Sequence, residues 1–399
     1  MLSEKKSKKI LVLNCRIHSV DFEVFEMPQE KELCRGIVDK IGLQSAVVDY
    51  QNHHFVQSIL DHQSAIENII KTITDKDIGV LKSIDEIDGI GHRVIHGGEK
   101  YFSSVIITEE VKKEIYRNFE LAPLHNPYNF KGIEAVEKLL PKKPQVAVFD
   151  TSFHQTIPEV AYRYPLPERI FQQYRIRKYG FHGISHKYVA ERTAYLLKKP
   201  IGKVNLISMH FGQGSSLCAI KNGKSIDTTM GFTPLEGIMM TTRTGSIDPG
   251  IVFFLLKSGW SLNDLESCFN RESGVFGISG ISDDMKEVVN AMQKSDKKAK
   301  LAIDMFVYRI REFLGAYYIL LGKVDAISFT GGIGENSDII RKKILGDLEF
   351  IGIKIDDRKN KKANGVEAEI NSSDSKIKVF VIPRNEKIEI AREVYRLIK

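Results

Sequence analysis

The stretch Asn205-Leu-Ile-Ser-Met-His-Phe-Gly-Gln-Gly-Ser-Ser-Leu-Cys-Ala-Ile-Lys-Asn-Gly-Lys-Ser-Ile-Asp-Thr-Thr229 reads as three strands and two loops. A strand runs from Asn205 to Phe211, a glycine loop from Gly212 to Ser215, and a second strand from Ser216 to Lys221. An Asn222-Gly223 turn then leads into a third strand, Lys224 to Thr229. About 200 residues earlier, Ile10 to Leu13, a short loop and Val20 to Phe25 show the same opening. Two strand-loop-strand units in one chain predict a duplicated architecture. Helical spacing follows each unit: Asp61 to Ile73, Glu109 to Phe119, Pro127 to Leu140 capped by Asn126, Lys298 to Leu321, and Asp338 to Leu345. Strands alternating with helices predict an α/β fold. In the longest helix, Leu301, Ala302, Met305, Phe306 and Tyr308 are expected to pack into the core.

The chain has 399 residues, 42% hydrophobic and 27% charged, enough to bury two ordinary cores. Its longest apolar runs, Ile10 to Asn14 and Ile251 to Leu256, are too short to cross a bilayer, and the Lys-rich start lacks a secretory apolar stretch; cytoplasm is the expected location. Four scattered cysteines (Cys15, Cys34, Cys218, Cys268) signal neither a disulfide framework nor zinc. The +7 balance comes largely from lysines such as Lys5, Lys6, Lys8 and Lys9, and Lys297, Lys298 and Lys300; without an aromatic stacking pattern it reads as a solvated surface, not a nucleic-acid interface.

Chemistry concentrates between Asp150 and His186. Asp150 ends the apolar strand Gln145 to Phe149, where open α/β sheets present ligand-contacting groups. His154, His182 and His186 follow within the same 37 residues, and Gly180 and Gly183 bracket His182 before a helix from about Ser185 to Leu197. Two glycine loops, His210 to Ser216 and Thr330 to Ser337, can aim backbone N–H groups at phosphate, the second followed by a helix near Asp338. Neither a P-loop nor a dinucleotide fingerprint is present, so a nucleotide site must use another fold. Arg93 and Arg243 each lie among glycines, where a guanidinium can hold a carboxylate or phosphate, or form a structural ion pair.

Several strings together resemble the acetate kinase family over nearly the whole chain. They are His92 to Glu99, Leu121 to Pro127, Phe149 to Thr156, Arg177 to Glu191, Met230 to Gly237, Gly332 to Asn336, Ile351 to Asp357 and Val381 to Glu386. The resemblance implies a two-domain duplicated fold of the actin, sugar-kinase and heat-shock ATPase type with an interdomain cleft. It implies domains of about 1–152 and 153–385, with a C-terminal helix of about 386–399 packing back on the first. It further implies reversible transfer of the ATP γ-phosphoryl to acetate, Mg²⁺ or Mn²⁺, and a homodimer. By the same resemblance Arg93, Arg243, Asp150 and His182 are catalytic, and Ile95, Leu124, Phe181 and Pro234 line the acetate methyl pocket beside Arg93. His210, Phe211, Gly212, Gln213 and Gly214 bind nucleotide, as do Asp283, Asp284 and Met285, and Gly332, Ile333, Gly334, Glu335 and Asn336. Asn14 and Glu386 take the metal.

The pattern is departed from after Asn14. The family has Asn-x-Gly-Ser-Ser-Ser-x-Lys where this chain has Asn14-Cys-Arg-Ile-His-Ser-Val-Asp21, and Gln213 stands where the family has Asn. Arg16 adds bulk where backbone meets phosphate, Ile17 and His18 replace hydroxyls, and Asp21 replaces a cation. Weak nucleotide handling is the expectation from Asp21, with Arg16 or His18 taking over the lost charge as the way activity survives. An inactive binding relative, and an acyl kinase using another donor or propionate or butyrate, are the alternatives.

Overall fold

Asn14 faces Asp21 and Cys15 faces Val20 across the antiparallel ladder joining β1 (Lys8–Cys15) to β2 (Ser19–Met27). That hairpin begins the first sheet of the computed structural model, which describes residues 6–43 and 45–398; Lys5 and Lys399, named above, lie outside the described residues. β3 (Lys31–Asp39), β4 (Ala46–Tyr50) and β5 (His53–Gln57) continue the meander. β6 (Ile87–Val94), β7 (Val105–Ile106) and β8 (Gln145–Phe149) complete eight strands in the order β5-β4-β3-β2-β1-β6-β8-β7. β6 runs parallel to both β1 and β8.

The second sheet contains β9 (Leu206–Phe211), β10 (Ser215–Lys221), β11 (Lys224–Thr228), β12 (Ala326–Thr330), β13 (Ala368–Glu369) and β14 (Lys378–Val381), in the order β11-β10-β9-β12-β14-β13. β9 is antiparallel to β10 and parallel to β12, which is parallel to β14. The series β3-β2-β1-β6-β8 therefore has its counterpart in β11-β10-β9-β12-β14. Each has three antiparallel strands followed by two parallel ones, so the duplication extends beyond the hairpins to the crossover strands.

The chain divides into two units, one ending at Ser152 and resuming at Asn385, the other running Phe153–Arg384. In the first, the helix Glu386–Leu397 packs on β6, where glycines permit close approach. A Cβ on Gly91 would lie 2.6 Å from Ile390 Cγ2, and one on Gly89 2.7 Å from Ile398 Cδ1. The opposite face of the first sheet buries Leu11, Leu13, Phe22 and Val48 with Ile66 and Ile69 of the helix His62–Ile73. In the second unit the helix Lys297–Leu321 presses Ala302, Phe306 and Ile310 onto Met209, Phe211 and Phe329. Cys15 and Cys34 are buried thiols pushed up to about 12 and about 11 by desolvation, so both stay protonated.

Four local readings change. Asn126 is the first residue of its helix, Asn126–Leu139, and does not cap it; its side chain is committed to the backbone of His96. Leu301 and Tyr308 are exposed, because helical spacing placed them on the flank of a stripe whose centre is Ala302, Phe306 and Ile310. The helix after His182 begins at Gly183. The glycine segment after β12 is itself a short helix, Gly331–Asn336, followed by Asp338–Leu345. No helix among the described residues is long and apolar enough to cross a membrane.

Candidate active site

In the first unit, parallel pairing of β6 with β8 sets Arg93 opposite Val148, and the strand ends bring it to Asp150. Arg93 Nε donates to Asp150 Oδ1 at 3.3 Å and Nη2 to Oδ2 at 2.5 Å. Asp150 is 2% exposed, and its backbone N–H donates to the Val94 carbonyl. Burial opposes the Arg93 charge, but Asp150, with help from Glu386 and Asp21, outweighs it and holds the guanidinium above its usual range. Next along the chain, Asn129 accepts the Ile95 N–H at 3.1 Å and Asn126 the His96 N–H at 3.0 Å, fixing the segment after β6. Ile95 is buried and Leu124 partly exposed.

The departed turn is ordered by its own groups. Arg16 N–H donates to Ser19 O, His62 bonds the Arg16 carbonyl at 2.6 Å, and Ile41 N–H donates to His18 O. Asp21 accepts from Asn14 Nδ2 at 3.3 Å and pairs with Arg16 Nη2 at 3.0 Å. The charge expected of Asp21 is thus countered inside the hairpin by Arg16, itself about half exposed.

In the second unit, His182 occupies a left-handed conformation (φ 58°) ahead of the helix Gly183–Leu196, after Gly180 (φ 76°). Its Nδ1 bonds Ser216 Oγ at 2.9 Å and its ring stacks on His210 at 4.2 Å. Gly214, on the loop between β9 and β10, leaves room for two groups: a Cβ there would sit 3.3 Å from both Arg243 Nη1 and His182 Nε2. Arg243 donates to the Pro234 carbonyl at 3.3 Å and lies beside Met240 Sδ. Desolvation pulls its pKa down, and no carboxylate pairs with it among the described residues. Phe181 is buried beside this group.

A cavity of about 660 Å³ opens in the same unit. Gly212 and Gln213 line one side; Asp283, Asp284 and Met285 another; Gly332, Ile333 and Asn336 a third. Gln213 Nε2 donates to Asp283 Oδ2 at 3.2 Å, linking two of those sides. Five further residues named for this role do not line the cavity. Phe211 belongs to the core against Phe306 and Phe329, while His210 and Gly214 lie with His182. Gly334 is buried, and Glu335 Oε1 turns inward to accept N–H groups of Gly331 and Arg384 at 2.8 and 2.9 Å.

Other contributors went unread in the sequence. Lys286 and Asn364 line the cavity; Lys286 adjoins the Asp283 to Met285 segment, whereas nothing local marks Asn364. Arg341 is fully buried and donates to the carbonyls of Gly334, Glu335, Asn360 and Ala363 and to Asn360 Oδ1, holding the short glycine helix from below. It looks like an ordinary basic residue in a polar helix, and only tertiary contact reveals its role.

The model of the Acetokinase family matches residues 9–392. An acetate kinase of Caldicellulosiruptor saccharolyticus is 49% identical over 397 residues, covering 98% of this chain and all of that one. Among solved structures, the acetate kinase of Porphyromonas gingivalis is 42% identical with a TM-score of 0.94, and a propionate kinase of Francisella tularensis 40% identical with a TM-score of 0.91. Each comparison covers 98% of this chain and 100% of the other.

Proposed function

This chain belongs to the acetokinase family, and from that premise we propose that it is an acetate kinase, moving the γ-phosphoryl of ATP reversibly to acetate to give acetyl phosphate and ADP. The observation that carries the reading is Arg243, a largely buried guanidinium beside His182 and Gly214 without an acidic partner among the described residues. A buried cation left uncompensated is costly unless an anion arrives. The transferring phosphoryl group is such an anion, and its equatorial oxygens are what Arg243 and His182 would hold.

On the acceptor side, Asp150 orients Arg93 to grip the acetate carboxylate or the phosphoryl, and Ile95 and Leu124 of the same unit face the methyl group. The two-point contact with Asp150 fixes the Arg93 guanidinium for that grip. Adenosine occupies the cavity bounded by Gln213, Asp283 and Asn336, with phosphates toward Gly212 and Gly332.

Mg²⁺ suits the oxygen donors Asn14 and Glu386, since this cation needs only one or two protein ligands when phosphates complete its octahedron. Asn14 turns its amide NH₂ to Asp21, which leaves Oδ1 for the cation. When bound, the ion neutralises charge on the phosphate oxygens. The enzyme acts in the cytoplasm as a homodimer. The helix Gly250–Lys257 supports this: it buries none of its residues within the chain, and Phe253 and Phe254 are each more than 60% exposed.

Trapping acyl phosphate as hydroxamate, with ATP, GTP or pyrophosphate against acetate, propionate and butyrate, tests the assignment. ATP with acetate is expected to win, with discrimination of about 1 to 3 kcal/mol per added methylene. Equal kcat/KM for acetate and butyrate removes the acetate-sized pocket, and no product with any pair removes the kinase.

A further inference from the structure

Behind His182 lies a row of buried hydrogen-bonding groups that the phosphoryl-transfer roles above leave unused. Ser216 Oγ stands 2.9 Å from His182 Nδ1 and 2.9 Å from His186 Nε2, and His186 Nδ1 stands 2.8 Å from Ser208 Oγ. Ser208, Ser216 and His186 are each 0% exposed. Sequence and fold make the row: His182 and His186 are one turn apart where the helix Gly183–Leu196 begins, and Ser208 and Ser216 face them from adjacent strands β9 and β10.

Counting protons restricts the row to two arrangements. Desolvation, with the nearby rings of His154 and His210, holds the His186 pKa well below the usual range, so its ring is neutral, with one N–H and one lone pair. Ser216 has a single hydroxyl proton and two imidazole nitrogens to satisfy. Among the described residues these nitrogens are the only side-chain partners of that hydroxyl, so it donates to one and accepts from the other, and only one of His186 Nε2 and His182 Nδ1 carries hydrogen. In the first arrangement Ser208 donates to His186 Nδ1, His186 Nε2–H donates to Ser216, and Ser216 donates to His182 Nδ1, leaving hydrogen on His182 Nε2. The second reverses every bond and puts hydrogen on His182 Nδ1.

His182 Nε2 is the nitrogen that shares space with Arg243 beside Gly214. To donate to an anion from there in the second arrangement, His182 would have to be an imidazolium, next to a guanidinium and stacked on His210 at 4.2 Å. The first arrangement presents an N–H while the ring stays neutral. We infer that His186 and Ser216 are positioning residues that hold the proton of His182 on Nε2, so that a neutral imidazole donates to the transferring phosphoryl group. The inference rests on the reading of His182 as a phosphoryl-contacting group.

Nitrogen-15 NMR of histidine-labelled protein at pH 7.5 reads the tautomers without turnover. Both His182 and His186 are expected as Nε2–H forms; an Nδ1–H signal from either overturns the assignment. Ser216→Ala removes the bridge with little change in volume, and kcat is expected to fall by up to about tenfold, the scale of one hydrogen bond, at unchanged KM for ATP. Ser216→Thr, which keeps the hydroxyl, should recover it. A Ser216→Ala protein with unaltered His182 nitrogen shifts overturns the relay. Altered shifts at wild-type kcat support the relay and overturn the phosphoryl contact of His182 instead.

Discussion

Arg93 and Asp150 form a two-point pair in which the carboxylate is almost wholly removed from solvent and the guanidinium largely so. Truncating one partner removes a main counter-charge of the other. Arg93→Ala and Asp150→Ala should each destabilise the protein by about 3–5 kcal/mol in urea unfolding, and the double variant by less than the sum. Turnover should be lost in all three. Additive effects would mean that the pair does not act as a unit.

Arg243 tests the other side. Arg243→Ala is expected to lower kcat on the order of 100-fold, the effect of losing one preorganised donor. Because a Cβ at Gly214 meets both Arg243 and His182, Gly214→Ala should also lower kcat, by roughly 10- to 100-fold, with thermal stability little altered. Wild-type turnover in Arg243→Ala would sink the phosphoryl-transfer assignment.

The rebuilt turn makes an asymmetric prediction. Arg16→Ala exposes Asp21 and should reduce kcat/KM for ATP a few-fold, a modest change because the pair is partly solvated. Asp21→Asn should raise it. Restoring the family pattern with Arg16→Gly, Ile17→Ser, His18→Ser and Asp21→Lys is expected to raise it further, and Gln213→Asn to add to that. If the natural chain already turns over at ordinary kinase rates of about 1–100 s⁻¹ and the restored turn slows it, the turn is a working alternative.

Acid should unfold this protein through its buried histidines. Burial pulls His92 and His154 down to about 4 and His96 to about 3, from an unfolded value near 6.5. Between pH 6.5 and 4 the unfolded chain therefore binds protons that the folded chain refuses. Stability rises with pH through that window and is lost as pH falls, by about 1.4 kcal/mol per histidine per pH unit. Urea midpoints measured from pH 7.5 to 5 should show this slope, and His92→Gln should shallow it. A flat profile refutes the assignment of neutral buried rings.

Strand β8 and the helix Asp338–Leu345 were legible to the residue, because an apolar run or a periodic stripe with a clear stop needs no knowledge of what lies opposite. Asn126 misled because the amide that caps helices also clamps a distant backbone, here that of His96. The family resemblance named Gln213, Asp283 and Asn336, which line the cavity, yet could not separate cavity wall from support. Glu335, in a matching string, and Phe211, in the loop carried over for nucleotide, both face inward, a distinction set by which side of a strand end or short helix they occupy. Arg341 went unread, and His186 was picked out only as one of a cluster of histidines, since their partners lie on other elements.

The return of the last helix to the first unit has a consequence for vectorial synthesis. The face of β6 around Gly89 and Gly91 has no cover until Ile390 and Val394 emerge, and those residues are made after the whole second unit. The first unit therefore closes only after the whole second unit has been made. A stop codon shortly before Asn385 would spare every residue of the second unit and still leave the first with an uncovered apolar sheet, a target for chaperones and proteases.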